Sequence, residues 1–202
     1  METMNKREYF KTIEDEYLKA LPVQSFNGTI FLIDHPSKFM EVEQALKGAQ
    51  LLGFDTETKP TFKKGRFHHV ALLQLSTEEN AFLFRLNKIT LPRFVIEILE
   101  DTNITKVGVA LRDDLNGLKK IMPFNPQGFI DLQQFVKHYG IEDNGLKKLV
   151  ANILGFRISK RYQTSNWEQE LLETDQLTYA ATDAWVCRQI YTELNNHHPS
   201  SE

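Results

Sequence analysis

Two acidic side chains, Asp55 and Glu57, end an apolar stretch of the sequence, LLGFDTET at 51–58. Residues two apart on a β-strand project from the same face, so a strand here places both carboxylates side by side. Like charges at that spacing repel each other, and their burial requires a compensating cation. The pattern indicates either a metal site or a strand that has already emerged into solvent, with both carboxylates hydrated.

A third acidic side chain, Asp183, interrupts the apolar face of the last predicted helix, at about 175–194. At about 100° per residue, Asp183 shares that face with Val186 and Ile190, and Tyr179 lies one turn before it. A hydrated charge is not expected on such a face. Asp183 therefore either belongs to a buried polar site with Tyr179 or is held in the core by hydrogen bonds.

Two neighbouring acids, Asp113 and Asp114, open a helix directly after the apolar stretch ITKVGVA at 104–110. The apolar face of this helix is centred on Leu111 and includes Leu118. On the helical wheel Asp113 lies nearly opposite that face, where a first-turn acid is favoured by the helix dipole. Asp114 flanks the face, so we predict that Asp114 is the one that points inward.

The remaining pattern predicts the framework that positions these groups. Strand-like stretches occur at 26–34, 51–58, 69–76, 81–86, 104–109 and 129–131. The short connection at 77–80 favours an antiparallel pair, whereas the later strands alternate with helices, which is typical of parallel strands. The sequence therefore predicts an α/β fold with a mixed β-sheet, an antiparallel meander plus parallel strands, flanked by helices.

The chain divides into three predicted parts. Residues 1–25 form a polar N-terminal helical extension, because Phe10, Ile13, Tyr17 and Leu21 recur at helical spacing. Residues 26–196 form the main domain, and residues 197–202 form a polar tail.

Composition limits the class of protein further. With 202 residues, 41% of them hydrophobic, the chain can bury a core, and its net charge of −3 gives no broadly basic surface. The single cysteine, Cys187, excludes an internal disulfide and a zinc site built from cysteines. No apolar stretch approaches the about 20 residues that span a bilayer, and the first ten residues lack the apolar core of a signal peptide. We therefore expect a cytoplasmic protein with no membrane partner.

Three strings carry a family resemblance: FDTET at 54–58, VGVALRDDLNGL at 107–118 and YAATDA at 179–184. Their order and spacing resemble those of the DEDDy 3′→5′ exonucleases. The strings LKKLVANILG at 146–155 and SNW at 165–167 are similar to the ribonuclease D and Werner-syndrome-exonuclease branch. The resemblance covers residues 27–195 and implies an RNase H-like (DnaQ-like) fold. It also implies hydrolysis of phosphodiester bonds from the 3′ end of nucleic acid.

The resemblance implies a role for each candidate residue. Asp55 is expected to bridge two divalent cations about 4 Å apart, with Glu57 and Asp183 completing one cation and Asp114 supporting the second. Tyr179 is expected to bind the attacking water. Ligation by oxygen alone favours Mg²⁺ or Mn²⁺ over zinc. Bound cations also explain how an acidic chain binds a polyanion.

Basic residues near these motifs are candidate nucleic-acid contacts. They are Lys63, Lys64 and Arg66 after the acidic strand, and Lys160 and Arg161 with Trp167 before the last helix. Basic residues interleaved with aromatic ones suit a single strand or a recessed 3′ end, of DNA or RNA. The first group also fits a hydrated surface loop. The indole of Trp167 is either a stacking surface for a base or part of the core.

Three alternative functions stay open at this stage. The first is a catalytically inactive nucleic-acid-binding or scaffold protein that keeps the exonuclease fold, although a pure binder has no need to gather repelling carboxylates. The second is a related phosphodiesterase with endonuclease activity, and the third is an α/β interaction module. The sequence leaves the choice between DNA and RNA, and the oligomeric state, undetermined.

Overall fold

The structure, a computed structural model, describes residues 8–61 and 67–197 of the chain. Within these ranges six strands form one sheet. They are β1 (Thr29–Ile33), β2 (Leu51–Thr58), β3 (Val70–Ser76), β4 (Asn80–Arg85), β5 (Thr105–Gly108) and β6 (Phe129–Asp131).

Seven α-helices connect and flank the described strands. They are α1 (Asp15–Ala20), α2 (Phe39–Lys47), α3 (Arg93–Glu100), α4 (Leu111–Ile121), α5 (Leu132–Phe135), α6 (Leu146–Leu149) and α7 (Thr174–His197). Residues Pro36–Lys38 and Val136–Tyr139 are 3₁₀-helical, and Val150–Leu154 continue α6 as a π-helix. Among the described residues, none of these helices combines the length and the apolar character needed to cross a bilayer. Apart from the backbone of His197, which ends α7, the predicted tail at 197–202 lies outside the described residues.

The strands follow the order β1-β4-β3-β2-β5-β6 across the sheet. Strands β2, β3 and β4 form an antiparallel meander, and β5 and β6 extend the sheet in parallel from β2. The first strand, β1, lies parallel to β4 at the opposite edge. The predicted mixed sheet, with an antiparallel meander plus parallel strands, is confirmed.

The two faces of the sheet bury different layers of helices. On one face Phe54 and Leu75, which oppose each other across β2 and β3, pack with side chains of α2, α3 and α4. On the other face, the long helix α7 lies across the strands, and its residues Val186 and Ile190 belong to the hydrophobic core on that side. Because side chains alternate along β2, Asp55 and Glu57 project toward α7.

Gly53 sets how closely α7 approaches the sheet. A Cβ atom on Gly53 would lie 1.9 Å from the carbonyl oxygen of Ala184 and 2.6 Å from the Ser76 hydroxyl oxygen. Only glycine leaves room for this contact of helix backbone on strand backbone. Gly53 precedes Asp55 by two residues and Ala184 follows Asp183, so the contact brings these two carboxylates together.

The N-terminal segment, residues 8–25, packs on the main domain and is helical only over α1. The backbone before α1 is not helical, because other parts of the fold bind it. The side-chain amide of Asn152 accepts a hydrogen bond from the Phe10 N–H (2.9 Å) and donates one to the Phe10 carbonyl (2.6 Å). Ile13 is buried, whereas Phe10 and Tyr17 stay exposed.

Candidate active site

Three carboxylates converge between β2 and α7. Oxygen atoms of Asp55, Glu57 and Asp183 all lie within 4.8 Å of one another. The strand places Asp55 and Glu57 on one face, and the contact at Gly53 brings Asp183 of α7 beside them. In the described part of the chain, no lysine, arginine or histidine forms an ion pair with any of the three.

Burial and mutual repulsion raise the pKa values of the clustered carboxyl groups. Burial, reinforced by repulsion from Asp183 and Asp114, raises the pKa of Asp55 well above its usual range. Burial likewise raises the pKa of Glu57 to about 10, with the charge of Asp55 as the next cause. Both carboxyl groups therefore hold a proton more readily than ordinary carboxyl groups do, and a bound cation would oppose this.

Asp183 is 7% exposed and is supported by two neighbours. Burial raises its pKa to about 7, whereas a hydrogen bond from the Tyr179 hydroxyl and the charge of Lys147 lower it. Burial and the nearby carboxylates raise the pKa of Tyr179, so its hydroxyl keeps its proton and is able to donate. The expected burial of Asp183, with Tyr179 on the same helix face, is confirmed.

Asp114 lies beside the cluster and not within it. Its carboxylate accepts a hydrogen bond from the Thr56 hydroxyl, on the side of β2 opposite to Asp55 and Glu57. Burial raises the pKa of Asp114 to about 6. Asp113 is exposed, as the helical wheel predicts. Asp114 therefore points inward and acts on Asp55 through its charge.

Asp131, at the end of β6, positions the helix that carries Asp114. Its carboxylate accepts hydrogen bonds from the backbone N–H groups of Ala110 and Leu111, both at 3.1 Å, at the start of α4. It also accepts one from the Gln133 N–H at 2.9 Å. Ala110 has φ 57°, a left-handed conformation that turns the chain sharply from β5 into α4. Sequence reasoning recognised the strand but not this role.

Trp167 is fully buried, so of the two predicted places for its indole the core is the correct one, and the ring is not available to stack on a base. The ring packs against Leu72 of β3 and Ala180 of α7. Its N–H makes no hydrogen bond of ordinary geometry but is directed at Glu57, whose pKa it lowers. Burial thus gives Trp167 contact with the carboxylate cluster and not with solvent.

The carboxylates open into a cleft of about 870 Å³. Lys160 lines this cleft with Asp55 and Glu57, and its contact with nucleic acid stays a prediction. Arg161 lines a second, smaller cavity, where it is stacked over the Tyr162 ring at 5.3 Å. Its guanidinium also pairs with Asp175 at 3.7 Å. The predicted contacts Lys63, Lys64 and Arg66 lie outside the described residues.

The donor set fits divalent cations. The three converging carboxylates supply oxygen atoms only, which Mg²⁺ and Mn²⁺ prefer. Their mutual repulsion is uncompensated by any basic side chain at ion-pair distance in the described ranges, so a cation would relieve it. Asp55, Glu57 and Asp183 are the residues that would hold it, with Asp114 next to them.

Comparison with known proteins identifies the family. A family model described as 3′-5′ exonuclease matches residues 30–198. The chain belongs to this family.

Relatives of this exonuclease family member include a protein of the branch that the sequence resembles. It is 31% identical over 186 residues to the bifunctional 3′-5′ exonuclease/ATP-dependent helicase WRN of Mus musculus, covering 87% of this chain and 13% of that protein. It is 25% identical to the EXO domain of Aedes aegypti Nibbler, with a TM-score of 0.79 over 87% of this chain and 92% of that one.

Trypanosoma brucei RNase D, solved in complex with RNA U12, has the same fold at 22% identity, with a TM-score of 0.74 over 88% of this chain and 65% of that one. The curated relatives are longer proteins. The chain spans 40%, 13% and 27% of the lengths of three of them. The family match and these relatives together confirm that the chain is a DEDD-type exonuclease with an RNase H-like fold.

Proposed function

We propose that the chain is a metal-dependent 3′→5′ exonuclease that hydrolyses single-stranded or recessed 3′ ends of DNA or RNA by a two-metal-ion mechanism. The observation that carries this proposal is the convergence of Asp55, Glu57 and Asp183 within 4.8 Å in the shared space between β2 and α7. A pure binding protein has no physical reason to bury three repelling carboxylates side by side.

Different residues of the chain have different proposed roles in the reaction. Asp55, Glu57 and Asp183 would hold the two divalent cations, Mg²⁺ or Mn²⁺, with Asp114 adding its negative charge from beside them. When bound, the cations supply charge neutralisation at the phosphate and a lowered pKa for the attacking water. The protonated hydroxyl of Tyr179 orients that water, because burial and the carboxylates keep its pKa raised.

Substrate positioning is proposed for the cleft that contains the carboxylates. Lys147 and Lys160 line the cleft and provide positive charge opposite the acidic cluster. RNA bound to Trypanosoma brucei RNase D supports nucleic acid as the substrate class of this fold. Because phosphate contacts do not read the sugar, both DNA and RNA strands belong in the assay.

The test uses linear 5′-labelled single strands of DNA and RNA, with a circular single strand of the same sequence. In Mg²⁺ or Mn²⁺ we expect a ladder that shortens from the 3′ end of the linear strands, and no cleavage of the circle. Chelation by EDTA should abolish the ladder. A cleaved circle would favour an endonuclease, and intact linear strands at high protein concentration would favour an inactive binding protein.

A further inference from the structure

Two cavities meet at Tyr179 and Asp183, and the N-terminal segment lines both of them. Asp15, Leu18 and Lys19 line the cleft that contains the carboxylates. Val23, Gln24 and Ser25 line the second cavity, of about 220 Å³. The segment therefore forms part of the wall on each side of the candidate active site.

Specific hydrogen bonds fix the segment ahead of α1. The Ile13 N–H donates to the Asp143 carboxylate at 2.7 Å, and the Lys148 ammonium donates to the Ile13 carbonyl at 2.8 Å. Asn152 binds both backbone groups of Phe10 in the same way, and its own side chain is 6% exposed. When polar side chains bind both the N–H and the carbonyl of one residue, they hold the backbone at that residue in one position.

Arg157 fixes the segment after α1. Its backbone N–H donates to the Pro22 carbonyl at 2.9 Å, and its carbonyl accepts from the Gln24 N–H at 3.0 Å. The Arg157 side-chain Nε donates to the Leu21 carbonyl at 3.0 Å. Anchors on both sides of α1 hold the helix at the edge of the cleft.

The cleft wall near α1 carries more basic than acidic side chains, although the chain has a net charge of −3 and Asp15 and Asp143 also line the cleft. Lys19, Lys147, Arg157 and Lys160 all line it. Lys148 is balanced by Asp143 at 3.2 Å, whereas Lys19 is 77% exposed and its partner Glu16 lies at 4.0 Å. Basic side chains that lie next to a candidate site for phosphodiester hydrolysis are suited to bind the phosphate backbone of a single strand.

We infer that the N-terminal segment is part of the nucleic-acid groove, with Lys19 binding a backbone phosphate beyond the scissile linkage. The inference rests on the proposed function, since it extends the path of the strand away from the carboxylates. It identifies the favoured substrate as a strand of several nucleotides. A dinucleotide without a terminal phosphate has only the scissile linkage, so it offers no further phosphate for Lys19 to bind.

The experiment compares Lys19→Glu with Lys11→Glu in the full chain. Both residues lie on the N-terminal segment and are mostly exposed, at 77% and 70%, but Lys11 does not line the cleft. Each substitution changes the net charge by the same amount. A difference in hydrolysis between the two variants therefore reflects where the charge lies on the segment. Steady-state hydrolysis is measured on a single-stranded 12-mer and on a dinucleotide.

We expect Lys19→Glu to raise KM for the 12-mer about three- to tenfold at low salt, with kcat unchanged. The dinucleotide should be hydrolysed as by the wild type, and Lys11→Glu should leave both substrates unaffected. Equal effects of the two substitutions, or equal effects on the two substrates, would overturn the inference.

Fluorescence anisotropy of a labelled 12-mer separates this inference from the proposed function. A chain that hydrolyses neither substrate contradicts the proposed function. If that chain still binds the 12-mer more weakly with Lys19→Glu than with Lys11→Glu, the groove assignment stands. If the two variants bind alike, the groove assignment fails independently of catalysis.

Discussion

The buried indole of Trp167 packs against the phenol ring of Tyr179, with 6.1 Å between ring centroids and 33° between ring planes. The same indole directs its N–H at Glu57. One core side chain thus packs on the tyrosine of α7 and lowers the pKa of a carboxyl group on β2. Trp167 is a positioning residue, because it acts on the site through Glu57 and Tyr179.

Trp167→Phe distinguishes the effect of the aromatic ring from the effect of the indole N–H. Phenylalanine keeps an aromatic side chain against Tyr179 but leaves Glu57 without the donor that favours its charged form. We expect Mn²⁺ affinity, followed by electron paramagnetic resonance, to fall about tenfold while the fold persists. Trp185→Phe is the matched control, since Trp185 stacks on Phe156 away from the carboxylates. Equal losses in both variants would assign the effect to packing alone.

Gly53→Ala tests the close contact of α7 with β2. The added methyl group meets the Ala184 carbonyl, which is backbone and cannot rotate away. We expect the free energy of unfolding in urea to fall by about 3 kcal/mol, with hydrolysis reduced because Asp183 moves from Asp55. Gly48→Ala is the control, as its Cβ would lie 3.4 Å from the nearest atom. Similar stabilities for both variants would contradict the contact.

Local patterns in the sequence were sufficient to predict the sheet and much of the site. Alternation along 51–58 placed Asp55 and Glu57 on one face, and the helical wheel distinguished Asp114 from Asp113. These inferences succeed because the spacing of neighbouring residues decides which way their side chains point. The family resemblance supplied the roles, which stay predictions.

Contacts between distant parts of the chain were not predictable in this way. The backbone contact of Gly53 with Ala184 joins residues far apart in sequence, and nothing in LLGFDTET identifies it. The extended backbone around Ile13 depends on Asp143 and Lys148 in the same manner. Helical spacing of apolar residues is a local signal, and tertiary hydrogen bonds overrode it before α1.

Asp114→Asn is predicted to reduce hydrolysis about tenfold or more, whereas Asp113→Asn leaves it unchanged within about twofold. The asparagine oxygen still accepts the Thr56 hydroxyl, so the fold is kept while the negative charge beside Asp55 is lost. Initial rates on the linear strand give the comparison. A larger loss with Asp113→Asn would move the second acidic motif to that residue.

Stability of the metal-free chain is predicted to fall as pH rises. Carboxyl groups of an unfolded chain have a pKa near about 4, whereas burial raises the folded pKa of Asp183 to about 7 and that of Glu57 to about 10. The folded chain therefore binds more protons above about pH 4, and its free energy of unfolding decreases up to about pH 7 through Asp183 and up to about pH 10 through Glu57. Thermal unfolding in EDTA at about pH 5 and about pH 8 measures this.

Asp183→Asn isolates the contribution of the cluster from that of other carboxyl groups. The variant should lose less stability than the wild type between the two pH values in EDTA. Mg²⁺ should raise the Tm of the wild type more at the higher pH, because the cation then displaces fewer protons. A Mg²⁺ effect independent of pH, or identical pH profiles of variant and wild type, would contradict the assignment.

Hydrolysis depends, in the proposed mechanism, on cations held by the buried carboxylates. The most direct measurement compares wild type and Asp183→Asn on a 5′-labelled single strand in Mg²⁺, with the Tm of both proteins recorded in EDTA. We expect a 3′-end ladder that slows more than about a hundredfold in the variant, although the Tm of the variant is no lower. An unchanged ladder in the Asp183→Asn protein would contradict the proposed mechanism.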